Sequence, residues 1–96
     1  MRYVVKQAIE FKKWYLKENK LAQAKMQERF YNIENYGHFG DMKRLFKDLF
    51  ELRWRDGRRV YFTIIRNEVV LLLIGGSKHE QKKDIQKAKR NKEKYC

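Results

Sequence analysis

The stretch Leu49-Phe50-Glu51-Leu52-Arg53-Trp54-Arg55-Asp56-Gly57-Arg58-Arg59-Val60-Tyr61-Phe62 decides the fold. Phe50, Leu52 and Trp54 alternate with Glu51, Arg53 and Arg55. Beyond Asp56-Gly57, Val60, Phe62 and Ile64 alternate with Arg59, Tyr61, Thr63 and Ile65. A period of two on both sides of Asp-Gly is the signature of a β-hairpin. A two-residue loop would set Trp54 opposite Arg59 and Arg53 opposite Val60, mixing the faces. A three-residue loop, Arg55-Asp56-Gly57 with Gly57 left-handed, sets Trp54 opposite Arg58 and Leu52 opposite Val60. That register gathers Phe50, Leu52, Val60, Phe62 and Ile64 on one face. It collects Glu51, Arg53, Arg59 and Tyr61 on the other, since a one-residue slip inverts every side chain.

Downstream, Asn67-Glu68 makes the next turn, and Val69–Ile74 is apolar at every position, which demands cover on both sides and an interior place in the sheet. Gly75-Gly76 is expected to end that strand. Ser77-Lys78-His79-Glu80 fits a capping box opening a last helix, with Ile85, Ala88 and Tyr95 as its buried stripe. Upstream, Arg2–Lys6 reads as a short strand and Gln7 to about Asn19 as a helix. Leu21, Ala22, Met26, Phe30 and Ile33 mark a second helix over Lys20–Tyr36, and Gly37 and Gly40 close the helical region. The expectation is one α+β domain over residues 1–96: an antiparallel sheet of three to five strands, two N-terminal helices and a C-terminal helix, the helices on one face.

The 96 residues carry 24 Lys and Arg against 12 Asp and Glu, a net charge of +12. Such a field favours a polyanion, whether RNA, DNA, a ribosome or an acidic protein segment. Residues 78–96 hold eight bases and three acids, five of the twelve net charges. The longest apolar run, Val69–Ile74, is far too short for a membrane span, so no membrane partner is expected. The charged N-terminus does not read as a secretory signal. One cysteine, Cys96, offers neither an internal disulfide nor a zinc site. The expectation is a reduced, cytoplasmic setting with no metal and no cofactor.

Phe39-Gly40-Asp41-Met42-Lys43, Leu49–Arg53, Arg59–Phe62, Val69–Lys78 and Gln81–Ile85 with Lys87-Ala88, in that order and spacing, resemble the RelE/ParE superfamily of toxins from type II toxin–antitoxin modules. The last two segments are similar to the addiction-module killer proteins related to HigB. The resemblance runs from about Phe11 to Lys89. It implies a RelE-like fold, a cognate antitoxin protein as partner, and a ribosome-dependent mRNA endonuclease (an mRNA interferase) that uses the RNA's own 2′-OH without a metal and inhibits translation. The ParE-like alternative is a DNA gyrase inhibitor with no nuclease chemistry. Two departures stand out. The hairpin is about two residues shorter than in relatives, and Gln81 and Ile85 stand where RelE-type enzymes carry an arginine and the acid/base tyrosine.

Metal-free cleavage needs cations over the phosphate and a group that moves protons. Guanidinium forks suit phosphate oxygens, so Arg59 is expected to stabilise transition-state charge and Arg53 to position the phosphate. Lys78, opening the last helix at the positive end of its dipole, is the third expected catalytic contact. Arg55, Tyr61, His79, Gln81, Lys82, Lys83 and Lys87 are the expected RNA-binding residues: Tyr61 by stacking on a base, His79 as the ionisable group nearest neutrality, and the lysines through the backbone. A solvated basic face is the competing reading for each charge, and a packed sheet tyrosine for Tyr61. Glu51, between arginines, reads as their charge partner.

Overall fold

A computed structural model describes residues 2–96. The elements run β1 (Val4–Gln7), α1 (Ile9–Leu16), α2 (Lys20–Tyr36), β2 (Met42–Phe46), β3 (Leu49–Arg53), β4 (Arg58–Ile65), β5 (Val69–Ser77), a 3-10 turn over Lys78–Glu80 and α3 (Gln81–Tyr95). The five strands form one sheet in the order β1-β5-β4-β3-β2.

The hairpin has the three-residue loop. Leu52 pairs with Val60 and Arg53 with Arg59, Trp54 N–H donates to Arg58 O at 3.0 Å, and Gly57 takes φ +98°. That dihedral lies where a Cβ would strain the backbone. The expected face follows: Leu52, Val60 and Phe62 join Val70 and Leu72 in a core with Phe11, Ala22, Met26, Phe30 and Ile33 from α1 and α2. Ala22, Met26, Phe30 and Ile33 of the stripe read over α2 are therefore its buried side, whereas Leu21, read into the same stripe, is exposed. The helix opens on Asn19, whose side chain accepts from Ala22 N–H, and closes on Gly37 at φ +69°.

The opposite sheet face is covered too, which corrects the expectation of helices on one face. α3 lies there, and Leu49, Tyr61, Leu71, Leu73 and Ala88 form a second buried cluster with Leu45, Ile65, Ile74 and Ile85 against it. The reason is already in β5: an apolar strand needs cover on both sides. Tyr95 is not part of that stripe. It is exposed, and its hydroxyl donates to Glu10 Oε1 at 2.8 Å, beside Lys94 Nζ on Oε2 at 3.0 Å.

Three further expectations change. The sheet is mixed, because β1 runs parallel to β5, Val4 opposite Val69 to Gln7 opposite Leu72; α1 and α2 with the strands after them form the crossover that parallel pairing requires. α1 spans only Ile9–Leu16. The capping box does not form. Ser77 stays in the sheet opposite Arg58 and makes no side-chain cap, while Glu80 sits at the boundary of α3 rather than one turn inside it.

Gly75-Gly76 does not break β5; the strand passes through both. Between Tyr61 opposite Ile74 and Phe62 opposite Leu72 the register shifts, so Leu73 and Ile74 both turn toward α3. Such a bulge places two residues against one. Gly75 then faces α1, and Gly76 faces α3. A Cβ on Gly75 would collide with the Trp14 ring, and one on Gly76 with the Asp84 carboxylate. Gly75→Ala should therefore lower stability by about 1–3 kcal/mol through overpacking, read as a reduced urea midpoint with unchanged slope. Adding Trp14→Leu should recover part of that loss, because it removes the ring the methyl group meets.

Candidate functional site

β3 and β4 set Arg53 directly opposite Arg59, with Glu51 and Tyr61 as the next pair on the same face. These four side chains share the α3 face. Like charges placed opposite one another repel, and Glu51 resolves the conflict. Its carboxylate is fully buried, with Arg53 Nε 3.2 Å from Oε1 and Arg59 Nε 3.7 Å from Oε2. Neither guanidinium N–H is aligned for a hydrogen bond there, so attraction between charges carries the contact. Gln81, at the start of α3, donates Nε2–H to Oε2 at 2.7 Å. The result is two arginines and a glutamine gathered on one buried acid, with Arg53 a third exposed and Arg59 more enclosed.

Beyond Gln81 the surface opens. Lys78, His79, Gln81, Lys82 and Lys83 line one shallow depression with Glu80. Lys78 N–H bonds Gly57 O at 2.8 Å, and its aliphatic stem lies over Gly57. Gln81 belongs both to the depression and to the Glu51 cluster, so the arginines and the exposed lysines form one continuous basic surface. Coordinated guanidinium and ammonium groups of this kind suit a phosphate backbone.

An uncharacterized protein of Haemophilus influenzae is 38% identical over 92 residues, spanning 93% of this chain and 92% of that one. The chain belongs to that protein's family. No protein-family model matches the chain. The fold is that of RelE toxins. A double arginine-to-alanine variant of E. coli RelE in the free state superposes with a TM-score of 0.73 at 17% identity, covering 94% of this chain and 98% of that one. The toxin–antitoxin complex RelBE2 of Mycobacterium tuberculosis gives 0.66 at 18%, over 80% and 99%. The intact E. coli RelBE complex gives 0.65 at 15%, over 78% and 95%.

Within this RelE-fold family member, three expected site residues stand elsewhere. Tyr61 is buried under Ala88 and beside Leu71 and Leu73, so it cannot stack on a base. Burial pushes its phenol well above the ordinary tyrosine value, and the nearby acids Glu51 and Asp84 push it further. A phenol held that firmly neutral is a poor proton acceptor at neutral pH. Arg55 sits in the hairpin loop and lines a depression with Lys25, Glu28, Arg29 and Asn32 of α2, apart from Arg53 and Arg59. Lys87 borders a cleft with Trp14 of α1, apart from Lys82 and Lys83.

Asp84 was not read from the sequence, although its i, i+4 spacing to Ala88 puts both on one helix face. It is 5% exposed, its Oδ2 lacks a hydrogen-bond partner, and burial raises its carboxyl above the ordinary value. A raised folded-state value means that ionisation costs stability. The charge-related penalty is absent in acid and grows as pH rises through the folded-state value. The stability of Asp84→Asn relative to the parent chain should thus improve from acid to neutral pH, measured by urea unfolding at several pH values. Glu51→Gln should destabilise the fold. It leaves two guanidiniums without a counter-charge and should lower stability by about 1–3 kcal/mol at neutral pH in the same measurement.

Proposed function

We propose that this protein is the toxin of a type II toxin–antitoxin module, acting in the cytoplasm as a ribosome-dependent mRNA endonuclease and neutralised by a cognate antitoxin. The observation that carries this reading is the Arg53–Arg59 pair, held on a sheet of the RelE toxin fold and continuous with the Lys78–Lys83 surface. In this reading Arg59 neutralises charge developing on the scissile phosphate, Arg53 aligns the neighbouring oxygens, and Lys78 with Lys82 and Lys83 contacts the RNA backbone. His79 lines the same surface, and its imidazole is suited to moving the 2′-OH or leaving-group proton.

Expression of this chain alone should arrest growth, with new mRNA ends inside translated codons. Arg59→Ala should reduce in vivo cleavage by about 100-fold while the protein still co-purifies with the product of the neighbouring antitoxin gene. Arrest with unchanged mRNA ends removes the nuclease reading.

A second reading, DNA gyrase inhibition without nuclease chemistry, is favoured by one observation: the tyrosine on the arginine face is buried rather than available for proton transfer. DNA damage during arrest, with intact transcripts, selects it.

A further inference from the structure

β5 outlasts its neighbour. β1 pairs with it only as far as Gln7 opposite Leu72, and Ala8 N–H closes on Leu72 O at 2.9 Å before the chain enters α1. From Leu73 to Ser77, β5 is held by β4 on one side, and on the other no strand faces it among the described residues. Asn91 Nδ2 occupies Leu73 O at 3.0 Å. Beyond that point a cleft of about 550 Å³ opens along Ile74, Gly75, Gly76 and Ser77. A free edge of this kind presents backbone donors and acceptors to an extended chain.

The cleft walls differ in chemistry. Trp14 lies against Gly75 from the α1 side, and Asp84 lies against Gly76 from the α3 side. Arg58 is already engaged by Glu18 at 2.7 Å and by Asp56. Asp84 takes part in no ion pair among the described residues; Lys87 and Lys83 attract it only at longer range, and Glu80 repels it. Along the whole lining, Glu18, Asp56, Glu80 and Asp84 outnumber Lys17, Arg58 and Lys87. In a chain whose bases outnumber its acids two to one, this is an acidic exception.

We propose that the edge of β5 from Ile74 to Ser77 binds an extended segment of a partner protein as an added strand, with a lysine or arginine opposite Gly76 against Asp84 and an apolar residue opposite Gly75 against Trp14. Residues directly opposite on paired strands point to the same face. The register of the glycines therefore fixes which ligand side chain meets which wall. Because neither glycine has a side chain, the added residues meet no competing group across the ladder. The recognised pattern is an apolar residue next to a basic one, held by main-chain hydrogen bonds. This site lies outside the arginine cluster, so it stands or falls independently of the nuclease reading.

The test uses the full chain, isotopically labelled, titrated with the capped peptide acetyl-Thr-Val-Arg-Val-Thr-amide. Saturable amide shifts centred on residues 74–77 with a Kd of about 1 mM or tighter, and a change in Trp14 fluorescence, are expected. Replacing the peptide arginine by glutamate should weaken binding about tenfold or more. So should N-methylation of the peptide amides that face β5, or Asp84→Asn in the protein. Absence of shifts at residues 74–77, equal binding of the glutamate peptide, shifts centred on the β2 edge, or a short RNA displacing the peptide from residues 74–77 would each overturn the proposal. The peptide variants leave the protein unchanged, so misfolding cannot produce these outcomes.

Discussion

The hairpin register holds the rest of the structure in place. With Leu52 opposite Val60, the apolar residues Phe50, Leu52, Val60 and Phe62 meet α1 and α2, and Glu51, Arg53 and Arg59 take the α3 face, while Arg58 turns to Glu18 beside α1. A shift by one residue would send Glu51, Arg53 and Arg59 into the aromatic core around Phe11 and Phe30, where an unpaired charge costs several kcal/mol. It would also turn Phe62 away from the rings of Phe39 and Phe50, on which it stacks at 5.5 and 5.3 Å. A single left-handed glycine in the loop thus fixes which side chains of the hairpin meet which helices.

On the charged face, α3 is a helix with little apolar surface to offer. Ala88 is its one fully buried hydrophobic residue, and lysines surround the rest. Its attachment relies on polar contacts at both ends: Gln81 on Glu51 at the start, Tyr95 and Lys94 on Glu10 at the end. The site is built from the same contacts. Glu51 draws the two guanidiniums together and anchors the helix that carries the lysines, so one buried carboxylate links the sheet's charge to the helix's charge. Arg29 plays a comparable part on the other side, lying 4.4 Å above the Trp54 ring and bonding the carbonyls of Phe39, Asp41 and Arg53.

Much of this was legible in the sequence because several constraints agreed. Loop length, Gly57 and the two alternating runs allow one register only, and the stripe over α2 had a clear stop at Gly37. The cover on the second face was harder to read, since α3 is rich in lysine and offers there only Ala88 and the half-buried Ile85, beside an aspartate. Tyr61 was ambiguous for a physical reason: a tyrosine beside arginines suits either a base or a core, and only the position of α3 decides. The glycine pair was misread because glycine signals a break when sequence alone is considered. Here it records that a ring and a carboxylate approach the strand from opposite sides.

The bulge in β5 bears on how chains of this fold can change length. Elsewhere in the sheet, losing one residue would exchange the two faces of everything beyond it. At Leu73 the exchange has already been made once, because Leu73 and Ile74 turn the same way. Deleting either one restores plain alternation and leaves Gly75 and Gly76 on the faces they now occupy. This strand therefore contains a place where a relative can be one residue shorter without inverting its core.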